Sequence, residues 1–342
     1  MRRMNLRFGL WTAILLLLGV FNAPAQAQLD YSLYGVADLS YMRFEPSGFE
    51  RDSRFNSNSL SPTFIGVAAS YGLENGWTPG VTLESFFRFQ DGKFGRTDND
   101  PALSRNAFAS ISNRDYGQLR AGRMQTSLFN ATTRFNALGN SALSPAVRHI
   151  FLDGNLIGVQ GDFYWDRAVG YVSPNFDGVT GQAMIAWGDR DNPGHLYGGT
   201  VIFSRGVFAV SASAQRVTLD DGINDRTAEN TWQLGANYNF GVVNLFGQFT
   251  QVRDQGLDVR SNIFSAGAAV PLGPGTIQVQ FATSKAEGPA VLREQVTTSA
   301  AYVYPFNSVT DFYAIAMDDR VRGQTRGVSA AVGVRYQFDV RR

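Results

Sequence analysis

The sequence predicts an all-β chain: a 16-stranded antiparallel transmembrane β-barrel with a long third outer loop folded into its interior. Three observations carry that expectation. Glycine (36) and phenylalanine (26) are abundant, and aromatics reach 13% while charged residues are only 17%. Apolar and polar residues alternate through one segment after another, which is the two-residue period of strands. Connections alternate between short turns and longer, more charged stretches, the asymmetry of a barrel with short turns on one membrane side and longer loops on the other.

Residues 1–27 stand apart from that pattern. They open with Arg2, Arg3 and Arg7, run through an apolar stretch from Leu10 to Phe21, and reach Ala25-Gln26-Ala27. A basic start, a short apolar core and an A-x-A site predict a secretory signal peptide cut after Ala27, with residues 28–342 forming one barrel domain. The apolar stretch is shorter than the roughly 20 residues that cross a bilayer as a helix. Cleavage removes three arginines and leaves 27 basic against 29 acidic groups, so the formal +1 of the full chain becomes −2. That balance argues against nucleic-acid binding, which rests on phosphate neutralisation. The absence of cysteine removes disulfide frameworks, thiolate zinc sites and a Cys nucleophile.

Strands are expected, in order, near 29–42, 60–72, 80–91, 104–112, 117–124, 165–173, 179–189 and 195–203. The second half follows near 206–218, 229–240, 242–252, 260–270, 275–286, 292–305, 309–318 and 325–338. The total is even, which returns both ends to one side. In the first strand Tyr31, Leu33 and Leu39 share a face, opposite Ser32, Tyr34 and Asp38. Trp232, Leu234, Tyr238 and Phe240 oppose Thr231, Gln233, Asn237 and Asn239, and Val279 and Phe281 oppose Gln278, Gln280 and Ser284. The last strand sets Val328, Val332, Tyr336 and Phe338 against Ser329, Arg335 and Gln337. A soluble sandwich also alternates. Here, however, the apolar face gathers aromatics at strand ends, as an interfacial girdle does. The other face, rich in Gln, Asn, Ser, Thr and Arg, is a poor core and suits a wet interior.

Turn stretches such as 173–178 and 271–275 are short, whereas 43–59, 92–103, 190–194, 219–228, 253–259, 287–291 and 319–324 read as the longer set. The connection at about 125–164 far exceeds ordinary loop lengths. Its Phe129, Leu138, Phe151, Leu156, Ile157 and Phe163 suit packing against the inner wall better than exposure to water.

Several stretches resemble the general diffusion porins of Gram-negative bacteria, in their β-proteobacterial form. SLYGVAD at 32–38 is similar to that family's first strand, and FIGVAASYGLENG at 64–76 sits where it has R-F/W-G-x-x-G-x-E-D-L-G-G-G. NAFASISNRDYGQLRAGRMQ at 106–125 resembles the run into the constriction loop. AVGYVSPNFDGV at 168–179, PLGPG at 271–275 and GVRYQF at 333–338 follow in the family's order. The chain departs from the pattern at Tyr71-Gly72, where the family has a Glu-Asp pair, at Arg88, where it commonly has an acid, and after Phe338, where four residues replace a terminal aromatic. The resemblance implies a homotrimer in the outer membrane, contacting its lipid and lipopolysaccharide, with the third outer loop folded into each water-filled pore. Small hydrophilic solutes and ions would diffuse through it passively, without a cofactor. The alternative is an outer-membrane channel selective for one small solute, which would line its path with an aromatic slide; Tyr34, Phe86, Trp165 and Phe246 are the inward aromatics available.

Parity places Asp38, Glu84, Arg88, Arg105, Arg120 and Arg335 on the inner face, with Arg123 where the fifth strand gives way to the long connection. That connection adds Arg134, Arg148, Asp153 and Asp162. Basic wall residues facing acidic loop residues would set a transverse field across the narrowest point. The basic bias of this set leans toward anions. Arginine suits the task, because its planar head stays charged and holds position through several hydrogen bonds; 28 of the 30 basic residues are arginines. Enzyme chemistry has little to build on. The two histidines, His149 and His195, lie in different segments, no phosphate loop or metal-ligand spacing occurs, and the acidic stretch 220–225 lacks the full calcium-loop pattern.

Overall fold

A computed structural model describes residues 29–153, 158–188, 194–219 and 227–342. The expected signal peptide, Leu156, Ile157 and the acidic stretch 220–225 lie outside these residues.

Among the described residues sixteen long strands form the wall. The first half comprises β1 (Leu29–Phe44), β2 (Phe64–Tyr71), β3 (Thr78–Arg88), β4 (Ala107–Asn113), β5 (Gly117–Gln125), β6 (Tyr164–Val172), β7 (Val179–Trp187) and β8 (His195–Arg205). The second half comprises β9 (Phe208–Leu219), β10 (Thr227–Asn239), β11 (Asn244–Asp254), β12 (Val259–Leu272), β13 (Gly275–Gly288), β14 (Val291–Pro305), β15 (Thr310–Val321) and β16 (Gly327–Arg341). Two short strands, Asp52–Asn56 and Lys93–Phe94, extend hairpins beyond the wall. Each wall strand pairs antiparallel with its sequence neighbours, and β1 pairs with β16 from Ser32↔Arg341 to Arg43↔Ala330. The sheet is therefore closed. Closure leaves no unpaired edge, the condition for a sheet to sit in hydrocarbon.

The predicted alternation is the alternation observed. Tyr31, Leu33, Leu39 and Tyr41 of β1 are exposed on the outside, while Asp38, Ser40 and Met42 are buried inside. Trp232 and Leu234 of β10 face out, and Thr231 and Gln233 face in. Phe281 of β13 and Val332 of β16 likewise face out, with Gln280 and Ser329 inside.

Loop lengths depart from expectation at one end of the barrel. The connections expected at 253–259 and 287–291 shrink to 255–258 and 289–290, with Gly288↔Val291 closing a tight hairpin. Charged residues read there as loop belong to strands: Arg253 and Asp254 end β11, and exposed Glu287 lies at the end of β13 before Gly288. The length contrast rests instead on 45–63, 89–106 and 126–163.

Near the closing seam Tyr313 of β15 lies across Gly333 of β16, its register partner, and its hydroxyl donates to Asp38 at 2.7 Å. A Cβ at Gly333 would stand 2.6 Å from the Tyr313 ring and 2.7 Å from the Leu39 carbonyl. Gly333→Val should therefore displace Tyr313 and cost about 1–3 kcal/mol. A lowered midpoint of denaturant unfolding checks this, and an unchanged midpoint refutes the packing role.

Candidate functional site

The connection from Thr126 to Phe163 leaves β5 and returns to β6, and its described residues, 126–153 and 158–163, run along the inner wall. It opens as helix α1 (Ser127–Arg134), capped by the Thr126 hydroxyl, which accepts the Phe129 N–H at 3.3 Å. A short helical turn, α2 (Pro145–Val147), continues into the wider turn Arg148–Leu152. Proline at its first position suits α2, because that N–H has no helical partner.

Polar side chains of the wall hold this irregular backbone. Gln248 donates to the Thr132 carbonyl at 2.8 Å, and Gln233 donates to the Thr132 hydroxyl at 2.8 Å. Gln280 accepts the Ala137 N–H at 2.9 Å, and the Ser299 hydroxyl donates to the Leu143 carbonyl at 2.6 Å. Farther along, His149 Nε2 and the Thr297 hydroxyl are 2.7 Å apart, and Glu229 accepts the Gln160 N–H at 3.0 Å. Beside β1, the Ser141 hydroxyl donates to the Ser59 carbonyl at 2.5 Å. The segment is thus fastened to β10, β11, β13 and β14 and to the stretch beside β1.

Apolar packing reinforces these bonds. Phe135 occupies a notch left by Gly235, where a Cβ would stand 3.0 Å from its ring. Phe129 and Phe163 stack at 4.3 Å, tying the outgoing limb to the returning one. Leu138 and Leu143 join Met42, Leu60, Tyr313 and Ile315 in a buried cluster. Gln233 and Gln280, read from parity as lining a wet interior, are buried beneath the connection instead. Gln280 satisfies its backbone at Ala137, and Gln233 holds the Thr132 hydroxyl.

Charges are arranged in local pairs. Asp162 binds Arg96 at 2.7 Å and Arg123 at 2.9 Å, so two separate elements clamp the returning limb. Burial pushes the Asp162 carboxyl up, but hydrogen bonding and charge from Arg96, with Arg123 beside it, outweigh this and hold it below the usual carboxylate range. Arg96 also forks onto Asp100 at 2.9 and 3.0 Å and lies among Phe86, Phe163 and Tyr164. Arg148 pairs with Asp153 inside the connection, and Asp153 accepts from Gln295 at 2.9 Å. On the wall, Glu84 accepts from Arg105, from Tyr34 at 2.6 Å and from Asn106 at 2.6 Å.

Between the connection and the wall lies a space of about 280 Å³ lined by Arg134, Asn136, Phe246, Gln278 and Arg335, among others. Arg335 binds Asp311 at 2.6 Å. Arg134 is exposed there, stacked 5.7 Å from the Phe135 ring, with no carboxylate partner among the described residues.

A family model for Gram-negative porins matches residues 12–324. The chain belongs to the Gram-negative porin family. It is 26% identical over 307 residues to outer membrane porin protein 32 of Delftia acidovorans, covering 85% of this chain and 84% of that protein. An anion-selective porin from Comamonas acidovorans shares the fold at a TM-score of 0.75 and 19% identity, over 92% of this chain and 100% of that one. A loop-deletion mutant of OmpT, an outer membrane protein of Vibrio cholerae, does so at 0.72 and 15% identity, over 91% and 99%. The protein is accordingly an outer-membrane diffusion channel, a transport barrel rather than an enzyme.

Within the porin the residues singled out from sequence separate into groups. Arg123 meets Asp162 across the wall and the connection, whereas Arg148 and Asp153 meet each other. Glu84 and Arg105 form a wall pair. Arg88 turns to Asp91 and Asp98 in its own hairpin, away from the connection. Asp38 faces inward but is 0% exposed, enclosed by Tyr313 and the N–H groups of Ser59 and Ser61. Burial thus removes it from any solute path. Arg120 faces inward over Phe108 and bonds Gln118 at 2.8 Å. Arg134 and Arg335 share the open space. Of the inward aromatics, Phe86 packs on Tyr164, Trp165 lies in an apolar cluster and Tyr34 is tied to Glu84. Only Phe246 lines the opening, so these four form no continuous track. Sequence reading missed Arg96, which parity cannot reach because it lies in a connection. It also missed Asp311, although its cross-strand register with Arg335 is a usable signal.

His149 supplies a pH test of the fastening. Burial pushes its imidazole down from the ordinary 6.5 to about 4. Seating is fully supported above pH 6.5 and loses support as pH falls toward 4, because the released imidazole takes up a proton that the seated one resists. Open-channel current noise should therefore rise between pH 6.5 and 4, and His149→Gln should flatten that rise. Identical profiles for the two proteins would contradict the role assigned to His149.

Proposed function

We propose that small hydrophilic solutes and ions pass through the space that connection 126–163 leaves beside the wall, and that anions pass preferentially. The observation that carries this reading is Arg134, exposed to the opening with no acidic partner among the described residues. The acids singled out on the wall and the connection are occupied. Asp162, Asp153, Glu84 and Asp311 each face an arginine, and Asp38 is enclosed. The local balance therefore leans positive although the chain without residues 1–27 sums to −2. The structural relative described as anion-selective supports the same sign. In this reading 126–163 is the constriction, residues 1–27 are an export signal removed on passage to the outer membrane, and three copies assemble with the longer connections outermost.

Reversal potentials in planar bilayers under a potassium chloride gradient test the preference. The sign should report chloride, and Arg134→Gln should lower the chloride-to-potassium permeability ratio by up to about fivefold, the equivalent of one unit charge acting through water at close range. Rising salt should shrink the preference. A potassium-selective reversal potential would overturn the anion reading, and closures in anything other than three equal steps would overturn the trimer.

A further inference from the structure

We infer that the space beside Arg134 is a weak binding site for a small aromatic carboxylate that also carries a hydroxyl group. The inference rests on the reading of this opening as the solute path and names an organic solute that the path would retain.

Two guanidiniums border the space, and they differ in what they have left to offer. Arg134 is exposed, lies 5.7 Å from the Phe135 ring and meets no carboxylate among the described residues. It is a free cation for an incoming anion. Arg335 donates from Nε and Nη2 to Asp311 at 2.9 and 2.6 Å, and from Nη1 to the Ser61 hydroxyl at 3.0 Å. Its charge is answered, but a guanidinium has five N–H donors, so each terminal nitrogen keeps one beyond these bonds. Gln278 of β13 has the opposite need. Its side-chain oxygen is buried without a donor among the described residues, a costly state for an amide carbonyl. The amide turns about its terminal bond, which brings that oxygen round to a donor in the space.

The remaining lining is apolar. Phe246 of β11 keeps a partly exposed ring, and Val303 of β14, Leu60 and Leu138 complete that side. At about 280 Å³ the space is at the small end of ligand sites, so one ring fills it and an oligosaccharide does not enter whole.

These groups together specify a solute. A carboxylate takes the planar fork of Arg134 in paired hydrogen bonds. A ring lies against Phe246 in the offset or edge-on arrangement that aromatic pairs favour. A hydroxyl on that ring accepts from Arg335 and donates to Gln278, using both of its capacities. Chloride answers Arg134 alone. A sugar carries hydroxyls but leaves the cation unmatched, and an unsubstituted aromatic acid leaves Gln278 unpaired. Phe246 and Gln278 lie close after the starts of β11 and β13, and Val303 lies close before the end of β14. The site is therefore on the short-turn side of the connection, reached in the proposed orientation after a solute has passed 126–163. Retention must be weak for the solute to leave again.

The test titrates single channels of the full chain, in planar bilayers at neutral pH, with para-hydroxybenzoate, benzoate and phenol. Para-hydroxybenzoate should half-block the potassium chloride current at about 1 mM. Benzoate should need roughly tenfold more, the loss of one good hydrogen bond, and uncharged phenol should not block. Arg134→Gln should raise the half-blocking concentration of both acids by about tenfold or more. Gln278→Leu should bring the two acids to equal potency while both still block, and that remaining block shows that the barrel has folded with its opening intact. Equal block by the two acids in the unaltered protein, block by phenol, or discrimination that survives Gln278→Leu would each overturn the site. A chloride-selective channel that para-hydroxybenzoate does not block would overturn this inference alone, and a potassium-selective channel would overturn the ion preference with it.

Discussion

An irregular backbone held inside a barrel must find partners for its N–H and C=O groups, because each one buried unpaired costs about 1–3 kcal/mol. The rest of this structure depends on how that demand is met. Gln248, Gln280 and Ser299 bond directly to the backbone of 126–163, and Gln233 and Thr297 hold its side chains. Glutamine suits the task because its amide both donates and accepts at the end of a flexible stem. The polar inner face is therefore partly a receptor for the protein's own chain, and only what remains uncovered is available to water and solute.

The arginines follow the same logic of local satisfaction. A guanidinium presents a fork of donors that one carboxylate rarely exhausts, so Arg96 holds Asp100 and Asp162 together while Arg123 holds Asp162 and Asp166. These contacts brace the returning limb of the connection. They also neutralise most of the charge that parity alone would assign to the interior. What is left over is Arg134, exposed to the opening, on which the proposed ion preference rests.

The wall was legible in the sequence because a strand's two faces meet different solvents, and that difference is written into every second residue. Tyr31 and Leu33 against Asp38, or Trp232 against Gln233, are sufficient to orient their strands. The same rule misassigned the environment of Gln233, Gln280 and Asp38. Parity reports which face a side chain occupies, not whether something covers that face. Arg96 was invisible for a related reason, since residues in connections have no parity. Arg253, Asp254 and Glu287 misled in the opposite direction: charges that look like loop are carried on prolonged strands. The length and aromatic content of 125–164 did point inward, but its partners are set by contacts between residues far apart in sequence, such as Ala137 with Gln280.

The central claim, that 126–163 rests on the inner wall in the conducting state, is open to one direct measurement. The chain has no cysteine, so a Phe135→Cys, Gly235→Cys pair would be unique. A Cβ at Gly235 would lie 3.1 Å from that of Phe135, close to the roughly 3.5–4.5 Å a disulfide requires. Single-channel conductance of this variant is compared before and after oxidation. The structure predicts that the cross-link forms in the membrane-assembled protein and leaves the conductance unchanged. Failure to cross-link, or a conductance altered by oxidation, would mean that the connection lies elsewhere when the channel conducts.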